Sequence, residues 1–168
     1  MLFPKKFKNK KILIFGYGKT GKSVKNYFVK NKINYKIWDD NRKLNIKQID
    51  KKYYLKNYDY IILSPGVDIY HHQNKEFFKK HRKNIITDLD IFFLSGKNPK
   101  YIIGVTGTNG KSSFCNFLNN LIKKNNIKSR VLGNFGNPVL NENISSNEYC
   151  ILELSSYQLD YSKYIKLD

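Results

Sequence analysis

The sequence predicts an α/β protein in which a Rossmann-like nucleotide-binding domain is followed by a P-loop-type α/β segment. Three observations carry that expectation. A strand-like run, KILIF at Lys11–Phe15, opens directly into Gly16-Tyr17-Gly18-Lys19-Thr20-Gly21, an unbroken GxGxxG. A second run, Tyr101–Val105, breaks into a glycine-spaced loop ending in Gly110-Lys111-Ser112. A third, EYCILEL at Glu148–Leu154, reads as a buried strand with one carboxylate, Glu153, near its carboxyl end.

Taken in order, the GxGxxG loop opens a helix whose apolar positions Val24, Tyr27 and Phe28 recur at helical spacing. A second strand, Tyr35–Trp38, ends at Asp39-Asp40-Asn41, and Asp39 lies where a ribose hydroxyl would be held. The result is a βαβ unit with a nucleotide at its strand tips, and the spacing does not say which nucleotide. Lys43–Lys56 is polar and reads as a short helix and a turn. Asp59–Ser64 is a third strand, and Pro65-Gly66 after it forms either a simple turn or a backbone that approaches a ligand closely. His71, His72 and His81 have no carboxylate or cysteine at ligand spacing and read as surface residues. Asn74–Arg82 reads as a charged surface helix, Asn84–Thr87 as a strand, and Asp88–Leu94 as an apolar helix capped by Asp88.

Loop formers at Ser95–Pro99 mark the expected domain boundary, giving domains of residues 1–95 and 96–168. In the loop after Val105, glycines let the backbone turn its N–H groups onto an anion, and the helix that follows adds its positive end. Lys111 would reach the outer phosphates of a nucleotide, and the Ser112 hydroxyl would bind Mg²⁺. The strict GxxxxGK[ST] pattern fails at its first position, which is Val105, with Gly104 and Gly107 on either side. A glycine-rich turn capping an ordinary helix is the alternative. That helix, Ser113–Asn125, carries Phe114, Phe117, Leu118, Leu121 and Ile122 as an expected core stripe. Ser129–Leu132 is a further strand. A charge within the run that holds Glu153 is costly without a partner, and beside a phosphate loop the natural partner is Mg²⁺; the other reading is a carboxylate at a solvated strand end.

Composition bounds the function. The chain has 168 residues, 40% of them hydrophobic, enough to build a core. No stretch reaches the roughly 20 apolar residues that cross a bilayer, so a soluble, cytoplasmic protein without membrane partners is expected. Cys115 and Cys150 show no ligand spacing and fall in apolar patterns, as core thiols do. The formal charge of +18 could suit RNA, but the lysines are spread along the chain beside Asn and Ile, the pattern of a general compositional bias. No nucleic-acid partner is therefore expected.

The strings GVTGTNGKSS, LGNFGNP and ILELSSYQLD closely resemble the Mur ligases of peptidoglycan synthesis, and GYGKTGKS with SPGV at Ser64–Val67 is most similar to the D-glutamate-adding branch. The ATP loop alone marks only the superfamily, which includes folylpolyglutamate synthases. The resemblance implies that residues 96–168 are the first part of a P-loop-type ATPase domain. It implies an ATP loop of Gly107, Thr108, Asn109, Gly110, Lys111, Ser112 and Ser113, with Lys111 on the phosphates and Ser112 and Glu153 on Mg²⁺. Lys111 and Glu153 are then the candidate catalytic residues. The UDP-substrate positions it implies are Gly18, Lys19, Thr20, Asp39, Asp40, Pro65 and Gly66, with Asn134, Ser155 and Gln158 lining the channel towards ATP.

The reaction so implied transfers the γ-phosphoryl group of ATP to the carboxylate of UDP-N-acetylmuramoyl-L-alanine. The amine of D-glutamate then attacks the acyl phosphate. Members of the family are much longer, so a fragment with little ligase activity of its own is expected, from a ligase that is monomeric at full length. A dinucleotide-dependent oxidoreductase, resting on GYGKTG and Asp39, is the rival that leaves GTNGKSS and ELSSYQL unexplained.

Overall fold

A computed structural model describes residues 5–41, 49–50, 56–96, 99–134 and 137–168. Most of the helix and turn expected over Lys43–Lys56 lies outside the described residues, as do Lys97, Asn98, Phe135 and Gly136 of two expected loops. The chain divides into two compact units, Met1–Asp88 and Leu89–Asp168, and each holds its own parallel sheet. No described helix is long and apolar enough to cross a membrane.

The first unit is built on β1 (Ile12–Phe15), β2 (Lys36–Trp38), β3 (Tyr60–Leu63) and β4 (Ile85–Ile86), in the order β2-β1-β3-β4 with every pairing parallel. All four residues of β1 are buried, as are Ile61, Ile62 and Leu63 of β3. Near-continuous apolar runs of this kind fit a parallel sheet covered on both faces. Helix α1 (Lys19–Lys30) turns Val24 and Phe28 into that core. Phe7, in a short 3₁₀ turn at Lys5–Phe7, packs its ring 6.0 Å from Phe28 and 5.0 Å from Tyr60.

The helix expected over Asn74–Arg82 contracts to α2 (Lys75–Lys80), followed by a 3₁₀ turn at Arg82–Asn84. It is not a plain surface helix, because Phe77 and Phe78 are buried. From β1 the chain runs to β2 on one side and returns to β3 on the other. The carboxyl ends of β1 and β3 therefore form the crevice where ligands of open α/β sheets bind.

Helix α3 (Asp88–Leu94) leads to the second sheet, made of β5 (Tyr101–Val105), β6 (Ser129–Gly133) and β7 (Tyr149–Glu153) in the order β5-β7-β6, again all parallel. The central strand β7 is buried from Cys150 to Glu153. Helix α4 (Lys111–Lys124) crosses from β5 to β6, and α5 (Ser156–Tyr161) follows β7.

Helix α4 corrects one expectation. The five-residue core stripe does not form: Phe114, Phe117 and Leu121 are 51%, 60% and 47% exposed. The buried face is instead Cys115, clustered with Val105 and Ile151, against which Leu118 and Ile122 of the helix and Val131 of β6 pack half-buried. The reason lies in the helix start. Ser112 turns towards β7, and Cys115, Asn119 and Ile122 follow it at helical spacing.

Candidate functional site

In the second unit the site is made by the loop between β5 and α4 and by the tip of β7. Gly110 caps α4 in the left-handed conformation (φ +75°), which a residue without Cβ adopts at no steric cost. The first turn of α4 holds no acidic side chain of its own, so the carboxylate that meets its positive end comes from β7. Thr106, Gly107, Thr108, Asn109, Gly110 and Ser113 are all exposed. Lys111 Nζ donates to the carbonyls of Gly107 at 2.7 Å and Thr108 at 3.4 Å, which curls the loop around its ammonium group.

Glu153 ends β7 beside Val105 and is 4% exposed. Ser112 Oγ donates to Glu153 Oε2 at 2.8 Å. The structure thus joins two residues 41 positions apart in the sequence. The reading of Glu153 as a solvated carboxylate does not apply. Its charge is felt by Cys115, whose thiol is pushed up to about 11, chiefly by burial and then by Glu153. A hydroxyl and a carboxylate are hard oxygen donors. They fit Mg²⁺, which keeps several waters and takes the rest of its shell from phosphates. No group of three or more His, Cys, Asp or Glu side chains among the described residues could cage a metal without such help.

Asn134 donates its backbone N–H to the Glu153 carbonyl at 3.0 Å, fixing the strand tip. Ser155 and Gln158 form a reciprocal capping box at the start of α5. Gln158 N donates to Ser155 Oγ at 3.1 Å, and Ser155 N donates to Gln158 Oε1 at 3.1 Å. Gln158 is 1% exposed, so its amide serves the turn that follows β7.

In the first unit the glycine loop is locked onto the sheet tips. A Cβ at Gly21 would stand 2.1 Å from the Gly16 carbonyl oxygen, while one at Gly18 would meet nothing within 4 Å. Ser64 Oγ donates to the Gly16 carbonyl at 2.9 Å, and Val67 N closes a turn onto the Ser64 carbonyl around Pro65 and Gly66. In the sequence Ser64 stands out only as a strand end and as the first residue of SPGV, with no role attached to it. Gly18, Lys19 and Gly66 are exposed, and Thr20 and Pro65 half-buried, around this crevice.

Asp39 accepts from Tyr17 N at 2.5 Å and from Asn41 N at 2.8 Å, so it ties the glycine loop to the end of β2. Asp40 accepts from Trp38 Nε1 at 3.0 Å and pairs with His72 Nε2 at 2.8 Å. Two histidines correct the surface assignment. The His72 side chain is 9% exposed. His81 is buried, between the Phe77 carbonyl at 2.8 Å and Asn57 Oδ1 at 3.2 Å. Only His71, which pairs with Asp68 and whose side chain is 88% exposed, is on the surface. Aromatic rings cover the other two: Phe15 of β1 and Phe78 of α2 lie against His72, and Phe77, four residues earlier, lies against His81.

Residues 10–86 match the family model described as the Mur ligase MurD-like N-terminal domain. Among curated proteins, the chain is 36% identical to a UDP-N-acetylmuramoylalanine--D-glutamate ligase of Francisella philomiragia, over 96% of this chain and 39% of that protein. It is 39% identical to the enzyme of the same name from Rickettsia prowazekii, over 94% of this chain and 37% of that one. For Wolbachia pipientis wMel the identity is 33%, over 97% and 34%. The chain spans less than two-fifths of the length of these relatives.

Proposed function

We propose, from the premise that residues 10–86 of this chain belong to the Mur ligase MurD-like N-terminal domain family, that it serves an ATP-dependent ligase joining D-glutamate to UDP-N-acetylmuramoyl-L-alanine. In this reading residues 1–95 bind the UDP-linked substrate, and residues 96–168 contribute to a P-loop-type ATP-binding domain. The observation that carries the ATP half is the Ser112–Glu153 contact at 2.8 Å beside an exposed glycine loop. The names of the relatives carry the choice of substrates.

The reaction must bring anions together: a triphosphate and the carboxylate that receives its terminal phosphoryl group. Exposed amides from Gly107 to Ser113 and the start of α4 offer donors to the phosphates, and Lys111 exchanges its loop carbonyls for phosphate oxygens. Ser112 and Glu153 would hold Mg²⁺, which when bound supplies neutralisation of the charge on the transferring group. Gly18, Lys19, Thr20, Asp39, Asp40, Pro65 and Gly66 surround the crevice that takes the uridine diphosphate. Asn134 and Ser155, the latter held by its capping box with Gln158, would line the substrate channel next to the phosphates. The acyl phosphate formed on the alanyl carboxylate is then open to the amine of D-glutamate, with phosphate as the leaving group.

Calorimetric titration of the 168-residue chain with UDP-N-acetylmuramoyl-L-alanine, Mg²⁺-ATP and NADH tests the reading. Saturable binding of the first two, each unaffected by NADH, is expected. Binding of NADH with no response to the UDP-sugar would overturn it in favour of a dinucleotide enzyme.

A further inference from the structure

Asp40 stands at the end of β2 with a ring N–H on each side: Trp38 Nε1 on Oδ1 at 3.0 Å and His72 Nε2 on Oδ2 at 2.8 Å. The tautomer of His72 follows from its other nitrogen. Asn74 N donates to Nδ1 at 3.0 Å, so Nδ1 is an acceptor and the neutral ring carries its proton on Nε2, facing the carboxylate. The imidazole is itself immobilised, edge-on to Phe15 at 5.5 Å and Phe78 at 5.0 Å, with 9% of the side chain exposed. Yet 45% of the Asp40 side chain remains exposed. Each carboxylate oxygen has a second lone pair, so the group is held rigid while it can still accept another hydrogen bond.

We propose that His72 is a positioning residue for the nucleotide crevice of the first unit: with Trp38 it clamps the Asp40 carboxylate in the orientation that accepts an N–H or O–H from a bound uridine diphosphate. The proposal rests on the uridine reading above and adds to it a residue from the loop after β3. A free aspartate at a strand end must give up side-chain rotation when it takes a ligand. The clamp removes that cost before binding.

Trp38 is the only tryptophan in the chain and donates to the same carboxylate, so it reports on the clamp directly. The test uses the full chain labelled with ¹⁵N, following the Trp38 indole N–H resonance and tryptophan fluorescence during titration with UDP. His72→Phe keeps a ring against Phe15 and Phe78 and removes the donor; His72→Leu replaces it should the larger ring disturb packing. His72→Gln restores an N–H. The expected result is a displaced indole resonance and about tenfold weaker UDP binding in the Phe or Leu variant, with recovery in the Gln variant and an unchanged thermal midpoint. Unaltered UDP affinity in the Phe or Leu variant would overturn the clamp's role alone. Failure of the unsubstituted chain to bind UDP would overturn the uridine reading and this inference with it.

Discussion

Ser112 Oγ lies 2.8 Å from Glu153 Oε2, joining the first turn of α4 to the end of β7 across a contact that buries the carboxylate. Substitutions at the two ends should therefore behave differently. Glu153→Gln keeps the volume and still accepts from Ser112 but has no charge to offer a cation. ATP affinity with Mg²⁺ should then fall by roughly tenfold or more, since even residues one step from a metal are worth that much. It should match the affinity of the unsubstituted chain in EDTA, with little change in thermal midpoint. Ser112→Ala withdraws a donor from a carboxylate that is 4% exposed, which should cost about 1–3 kcal/mol of stability in urea unfolding.

The two glycines of the first loop predict a contrast that propensity alone would miss. Gly21→Ala places a methyl 2.1 Å from the Gly16 carbonyl oxygen, backbone that cannot yield without moving the tip of β1. A loss of about 1–3 kcal/mol or more is expected for the first unit. Gly18→Ala enters open space, with nothing within 4 Å and a φ of −71° that any residue adopts. Its change should stay within about 0.5 kcal/mol. Equal effects in chemical denaturation would refute this account of the loop.

These contrasts show where sequence was sufficient and where it was not. Strands β1, β3 and β7 were legible because parallel strands buried on both faces leave continuous apolar runs, and β5 by its β-branched residues before a glycine-spaced loop; their ends fell within a residue or so of the expected positions. The Ser112–Glu153 pairing was legible as residue types at strand and helix ends. The rotation of α4 was not. Phe114, Phe117 and Leu121 are as apolar as Cys115, Leu118 and Ile122, and the choice of face is made by tertiary contact with Val105 and Ile151. His72 was illegible for a similar reason: its partner Asp40 is 32 residues away and its cover, Phe15 and Phe78, belongs to other elements.

Neither cysteine should react in the native chain. Both are buried and unbridged. Burial, followed by the nearby Glu153 carboxylate, pushes the Cys115 thiol up to about 11, and burial pushes Cys150 up to about 12. Near pH 8 almost no thiolate is present on either, and thiolate is the reactive form. A thiol titration with a chromogenic disulfide should therefore be silent until denaturant is added. Rapid labelling of either residue in the folded chain would contradict its buried placement, Cys115 in α4 and Cys150 in β7.

Acid should loosen the second unit through one carboxylate. Burial alone would push Glu148 up, but Arg130 Nη2 at 2.7 Å, the Ser145 N–H and the charge of Lys128 outweigh it and hold the group below its ordinary value of 4.5. Arg130 also reaches Glu142 at 2.9 Å, and Glu142 accepts from Asn137 at 2.7 Å, so the network spans the described ends of the segment between β6 and β7. A carboxylate whose pKa is depressed by folding contributes stability that is complete above its unfolded value and lost as pH falls through the folded one. Unfolding free energy should be flat down to about pH 5 and decline below the ordinary 4.5. Because Arg130 is 33% exposed and partly screened, the contribution should be modest, about 1–2 kcal/mol. Glu148→Gln should lose that amount near neutral pH and converge on the unsubstituted chain in acid, as read by urea unfolding across the range. Parallel curves, with the same difference in acid as at neutrality, would show that the ion pair does not set this dependence.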